Sequence, residues 1–126
     1  MKYFFSLLFI CFLSTNLNAQ WVECNNGLYA GNVNCIVVND NEILAGTSRG
    51  IYKSIDNCES WKNIGFPYDN FQTIIQAITV IGNKIFIGTK FNGIFLSTDD
   101  GKSWTKKDSG LINDAGFSED DIYTFA

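Results

Sequence analysis

"STDDGKSW", Ser97 to Trp104, is the stretch whose reading decides the fold. It has the spacing S-x-D-x-G-x-x-W and follows an alternating apolar run, "KIFIGTKFNGIFL". The pattern describes a tight turn that joins two strands, not a catalytic loop. Asp99 can accept hydrogen bonds from backbone N–H groups two or three residues on and so close the turn. Gly101 supplies the left-handed conformation such a turn needs. Trp104 buries its ring against the hairpin, which stabilises on the order of a few kcal/mol, and Ser97 bonds back across the turn. Each of these residues reads as part of a staple.

The octapeptide recurs as "SIDNCESW", Ser54 to Trp61, with Ser54, Asp56 and Trp61 in register and Cys58 where the second copy has Gly101. A cysteine at positive φ costs about 1 kcal/mol, so the first turn is expected either to take another shape or to be the weaker one. The surroundings repeat as well. "CIVVNDNEILAGTSRGIYK" aligns with "AITVIGNKIFIGTKFNGIFL" through one inserted residue, pairing Ile36 with Ile78, Gly46 with Gly88, Thr47 with Thr89 and Gly50 with Gly93. "WVECNNGL", from Trp21, matches "WTKKDSGL", from Trp104, and "DIYTFA" resembles the start of a further unit, Ile122 and Phe125 matching Ile75 and Ile78.

Each unit reads as four strands by its period-two alternation and its turn residues. In the second, strands are expected over 74–81, 84–89 and 93–97 and from Trp104, with Gly82-Asn83 as the first hairpin turn. The fold class is therefore all-β, with four-stranded antiparallel sheets over 33–66 and 74–108. Repeats of roughly 40 to 50 residues built from short strands suggest propeller blades. The domain reading is a signal peptide at 1–19, then a partial propeller at 20–126. The propeller holds units at about 33–66 and 75–111, an N-terminal half-unit at 21–28 with a strand over Trp21–Cys24, and a truncated unit from 122. The chain is expected to be the opening fragment of a longer protein, able to self-associate through exposed blade edges.

The N-terminus carries Lys2, the apolar run "YFFSLLFICFL" and the polar tail "STNLNA", with Ala19 the last residue before cleavage. This is the pattern of a secretory signal, and its apolar run is short for a bilayer span. The mature chain is expected to be exported, to the periplasm, the cell surface or beyond, with no membrane span. Cys24, Cys35 and Cys58 then meet oxidising conditions. An odd count permits one disulfide and leaves at least one thiol unpaired.

S-x-D-x-G-x-x-W between the third and fourth strands of such a unit resembles the Asp-box, or BNR repeat. It occurs in β-propellers of sialidases, sortilin-type receptors, some glycoside hydrolases and photosystem II assembly factors. The resemblance covers essentially all of 20–126. It implies that the box turns lie on the face opposite the ligand site. It therefore places a candidate ligand face on the turns between strands two and three and on the links between units. Arg49, Phe91, Tyr68 and Phe117 lie there, with Phe66 and Phe71 beside them.

Composition narrows the chemistry. The chain has 126 residues, a net charge of −4, no histidine and, in Arg49, a single arginine. Sialidases hold their substrate with three arginines, and lysine replaces a bidentate guanidinium poorly. Without histidine, Ser-His-Asp chemistry and histidine metal sites are excluded. No basic cluster suits nucleic acid. The acidic "SEDD", Ser118 to Asp121, reads as a solvated loop and, at most, a weak calcium ligand set. The expectation is a non-catalytic module that binds or scaffolds a protein or glycan, with no catalytic residue, cofactor or metal. The alternative is a fragment of a propeller glycoside hydrolase, sialidase-like or xyloglucanase-like, whose catalytic residues lie outside this chain.

Overall fold

The computed structural model describes residues 20–66, 73–107, 109, 122, 124 and 125. They form eight strands in two sheets. The first sheet runs β1 (Val33–Asn39), β2 (Glu42–Thr47), β3 (Gly50–Ser54) and β4 (Lys62–Asn63). The second runs β5 (Ile75–Ile81), β6 (Lys84–Thr89), β7 (Gly93–Ser97) and β8 (Thr105–Lys106). Both are antiparallel and ordered as the chain runs. Among the described residues there is no helix. The expected strand bounds hold to within one residue, β5 beginning at Ile75 and β8 at Thr105.

The two sheets share their irregularities as well as their order. Each breaks register two residues into its first strand, between Val33 and Cys35 and between Ile75 and Ala77. Each turns between strands one and two on a residue at positive φ, Asp40 at 50° and Gly82 at 60°. Asp40 is a residue type that tolerates this conformation through local side-chain bonding. In each sheet the threonine that ends strand two donates its hydroxyl to a glycine carbonyl across the next turn, Thr47 Oγ1 to Gly50 O at 2.7 Å and Thr89 Oγ1 to Gly93 O at 2.8 Å.

Alternation gives each sheet two faces. One face of the first sheet sets Leu44 and Ile51 against Ile78, Ile85, Ile87 and Phe95 of the second, and this is the main core. The opposite face of the first sheet holds Ala45, Tyr52 and Trp61, covered by Leu28 and Ala30 of the N-terminal segment. Gly46 leaves room where the sheets approach. A Cβ there would stand 2.6 Å from Ile75 Cγ2. The same arrangement follows 42 residues later, where a Cβ on Gly88 would stand 2.4 Å from Ile122 Cγ2. So each sheet receives, at its second-strand glycine, the isoleucine that opens the next stretch of chain.

The expected strand over Trp21–Cys24 is not formed. Trp21 is 97% exposed, whereas Trp61, its counterpart, is 8% exposed. The reason lies in the ladder. Lys62 and Asn63 pair with Lys53 and Tyr52 of β3, but among the described residues no third strand stands beside Trp21–Cys24. The segment packs onto the first sheet as an irregular strip instead.

Candidate functional site

The box turns are built first by their aspartates. Asp56 Oδ1 accepts from the Ser54 hydroxyl at 2.8 Å and from Ser60 N–H at 2.9 Å, and Oδ2 accepts from the Ser60 hydroxyl at 2.5 Å. Asp99 does the same with Ser97 at 2.8 Å, Ser103 N–H at 2.8 Å and the Ser103 hydroxyl at 2.5 Å. The serine hydroxyls accept in turn from Cys58 N–H at 3.0 Å and Gly101 N–H at 2.8 Å. These bonds, the Ser60 or Ser103 hydroxyl foremost, hold each carboxyl down to a pKa of about 2. The backbone partner stands four residues beyond the aspartate, not two or three as expected. Ser60 and Ser103 are the residues sequence reasoning missed, although a serine precedes the tryptophan in both copies.

The first turn does not take another shape. Asn57 and Cys58 sit at φ 57° and 71°, Asp100 and Gly101 at 62° and 83°. Cys58 therefore adopts the left-handed conformation that suits the glycine it replaces. The tryptophans differ more. Trp61 donates its indole N–H to the Cys24 carbonyl at 2.8 Å. Trp104 was expected to bury its ring against the hairpin. It is half-buried, lies against Phe66 at 6.1 Å between ring centres, and its buried Nε1 has no hydrogen-bond partner among the described residues. Ile64, the counterpart of Cys24, is tied to the first sheet through Ile64 N–H to Ile51 O at 3.1 Å.

A charged clamp joins the second turn to the first sheet. The Lys53 ammonium, its side chain only 9% exposed, bonds Glu42 at 3.1 Å and also Asp100. Desolvation alone pulls its pKa down, but the two carboxylates outweigh it and the pKa is raised. Beside the clamp an open cleft of about 580 Å³ is lined by Ile55, Ser60, Trp61, Lys62, Ile64 and Lys102, among others.

The candidate ligand face lies at the other end of the strands. Antiparallel order places the turns 40–41 and 82–83 and both box turns at one end, and the turns 48–49 and 90–92 at the opposite end. Arg49 is exposed there, with Nη1 3.5 Å from the Tyr29 carbonyl and its N–H bonded to Thr47 Oγ1. Phe91 is 57% exposed at φ 70°, and the Lys90 ammonium stands 4.9 Å from its ring centre. Phe66 is not on this face. It meets Phe95 edge-on at 4.8 Å and packs against the main core, because its ring gains more from that apolar cluster than from water. Tyr68, Phe71, Phe117 and the acidic stretch 118–121 lie outside the described residues. Among the described residues, no three His, Cys, Asp or Glu side chains are grouped to hold a metal ion. No protein-family model and no curated protein matches the chain.

Proposed function

We propose that the chain is an Asp-box β-propeller module, exported and non-catalytic, that binds a protein or glycan segment on the face carrying Arg49 and Phe91. The observation that supports the propeller reading most is the paired accommodation of Ile75 at Gly46 and Ile122 at Gly88. The same sheet-to-next-segment step is taken twice, which supports a reading as successive repeat units. The binding reading rests on position. The turns between strands two and three are not stapled by aspartate, and they present a guanidinium and an aromatic ring from equivalent places in neighbouring units. An aromatic face with adjacent cations suits a sugar ring or an extended peptide. At the opposite end the box aspartates Asp56 and Asp99 are committed to turn hydrogen bonds, which leaves those two unsuited to proton transfer.

The test is a titration of the folded chain with soluble glycans, sialyllactose and xyloglucan oligosaccharides included, followed by NMR. Shifts that cluster at 48–49 and 90–92 and vanish in Arg49→Ala and Phe91→Ala support the reading. Turnover of either glycan would defeat it, as would a ligand that perturbs only the box-turn end. Self-association through the sheet faces is read from sedimentation of the same sample.

A further inference from the structure

We propose that Cys24 and Cys58 are the sites of an intramolecular disulfide that fastens the N-terminal segment to the first box turn, and that Cys35 stays a thiol. The repeat itself brings the two positions together. In the second unit, a Cβ built on Gly101 would stand 2.7 Å from Ile64 Cδ1. The residue three after one tryptophan thus lies against the left-handed position of the following box turn. Counting from Trp21 as from Trp61, the counterpart of Ile64 is Cys24, and the counterpart of Gly101 is Cys58. The first unit carries cysteine at both of these contacting positions.

Other bonds hold the pair in place. The Cys24 carbonyl accepts from the Trp61 indole at 2.8 Å, and Trp61 N–H bonds the Asn26 carbonyl at 2.8 Å. Both fix the segment beside the turn that carries Cys58. The Cys58 N–H is held by Ser54 Oγ, and its side chain packs with Ala30, Ala45, Tyr52 and Trp61. After burial, Cys24 is the neighbour that raises the Cys58 pKa most. Cys35 has neither opportunity. It packs with the main core on the opposite face of the first sheet, beside Gly46, so a whole sheet separates it from Cys58.

The chemistry is exchange with a small-molecule disulfide such as oxidised glutathione. Cys24, which is exposed, attacks first as the thiolate and expels one glutathione thiolate, giving a mixed disulfide. The Cys58 thiolate then attacks the Cys24 sulfur and expels the second. Two protons leave the protein, its two thiols are oxidised, and one glutathione disulfide is reduced to two thiols.

The experiment is refolding of the full chain in a glutathione redox buffer, alkylation of remaining thiols, tryptic digestion without reduction and tandem mass spectrometry. The expected product joins the peptide Ser54–Lys62 to the peptide containing Cys24, with fragment ions that place the bond at Cys24 and an alkyl group on Cys35. The oxidised chain should melt about 10 °C above the reduced one. That difference should vanish in Cys24→Ser and persist in Cys35→Ser. Cys58 recovered alkylated, or joined to Cys11 or Cys35, would overturn the proposal whatever the behaviour of the variants.

Discussion

The two box turns share a backbone and differ in what surrounds them. Both place two consecutive residues at positive φ and tie one aspartate to two serines. The first spends its left-handed position on a cysteine but sets its tryptophan into a covered niche with its indole bonded. The second has the glycine, yet its tryptophan is half-buried and its indole nitrogen unbonded among the described residues. Local conformational fitness and tertiary support thus run in opposite directions in the two copies. A repeat can tolerate a poor turn residue where its neighbour packs well, because a strained φ and a lost ring contact are of similar size, each a kcal/mol or a few.

The largest test of that contrast is the pair Trp61→Ala and Trp104→Ala. Removing a buried tryptophan costs about 3 to 5 kcal/mol. Trp61, the more buried of the two and bonded to the Cys24 carbonyl, should stand near the top of that range and the half-buried Trp104 near the bottom. Urea unfolding of both variants would break the comparison if Trp104→Ala proved the more damaging.

Next comes the clamp, whose lysine the first sheet supplies. Lys53 occupies the place of Leu96 in the second sheet. Neutralising both acids in Glu42→Gln with Asp100→Asn leaves a nearly buried ammonium without anions and should cost about 1 to 2 kcal/mol. Lys53→Leu, which copies the second sheet, should be within about 1 kcal/mol of neutral. If the two variants lost stability equally in denaturant titrations, the clamp would be stabilising in its own right.

Exchanging the turn residues sharpens the contrast further. In the reduced protein Cys58→Gly should gain about 1 kcal/mol by removing a side chain from positive φ. Gly101→Ala should lose about that much or somewhat more, since its Cβ also meets Ile64. A loss on Cys58→Gly under reducing conditions would mean that the packing of the cysteine outweighs its strain.

The smallest expected difference between the turns is in acid. Both aspartates titrate near 2 when folded, below their ordinary 3.8. A depressed carboxyl pKa contributes stability that is present above 3.8 and disappears as pH falls through about 2. Asp56→Asn and Asp99→Asn should therefore flatten that acid limb equally. Unequal flattening in acid unfolding curves would show that the matching geometry conceals different electrostatics.

Much of this was legible before any coordinates. Alternation over 84–89 and 93–97, the Gly82-Asn83 turn and the octapeptide placed the four strands of the second unit closely, since period-two burial and positive-φ residues are local properties. The four strands of the first unit were bounded only by their unit, 33–66, and β1 begins at the same residue, Val33. Side-chain orientation near the links was less legible. Arg49 and Phe91 lie on exposed turns as expected, but Phe66, one residue type among several aromatics near a link, turned inward. Nothing in its immediate neighbours distinguishes a ring that meets Phe95 from one that meets solvent.

The sequence by itself determined the all-β class, the unit of repetition and the hairpin within each unit. Those depend on contacts a few residues apart, whose geometry the side-chain types dictate. Only the tertiary structure decided that Trp21–Cys24 forms no strand, that Lys53 bridges to Asp100 and that Cys24 lies beside Cys58 and not Cys35. A strand exists only where another strand's N–H and C=O groups face it, and residues 47 or 34 positions apart meet only after one sheet has packed upon the next layer of chain.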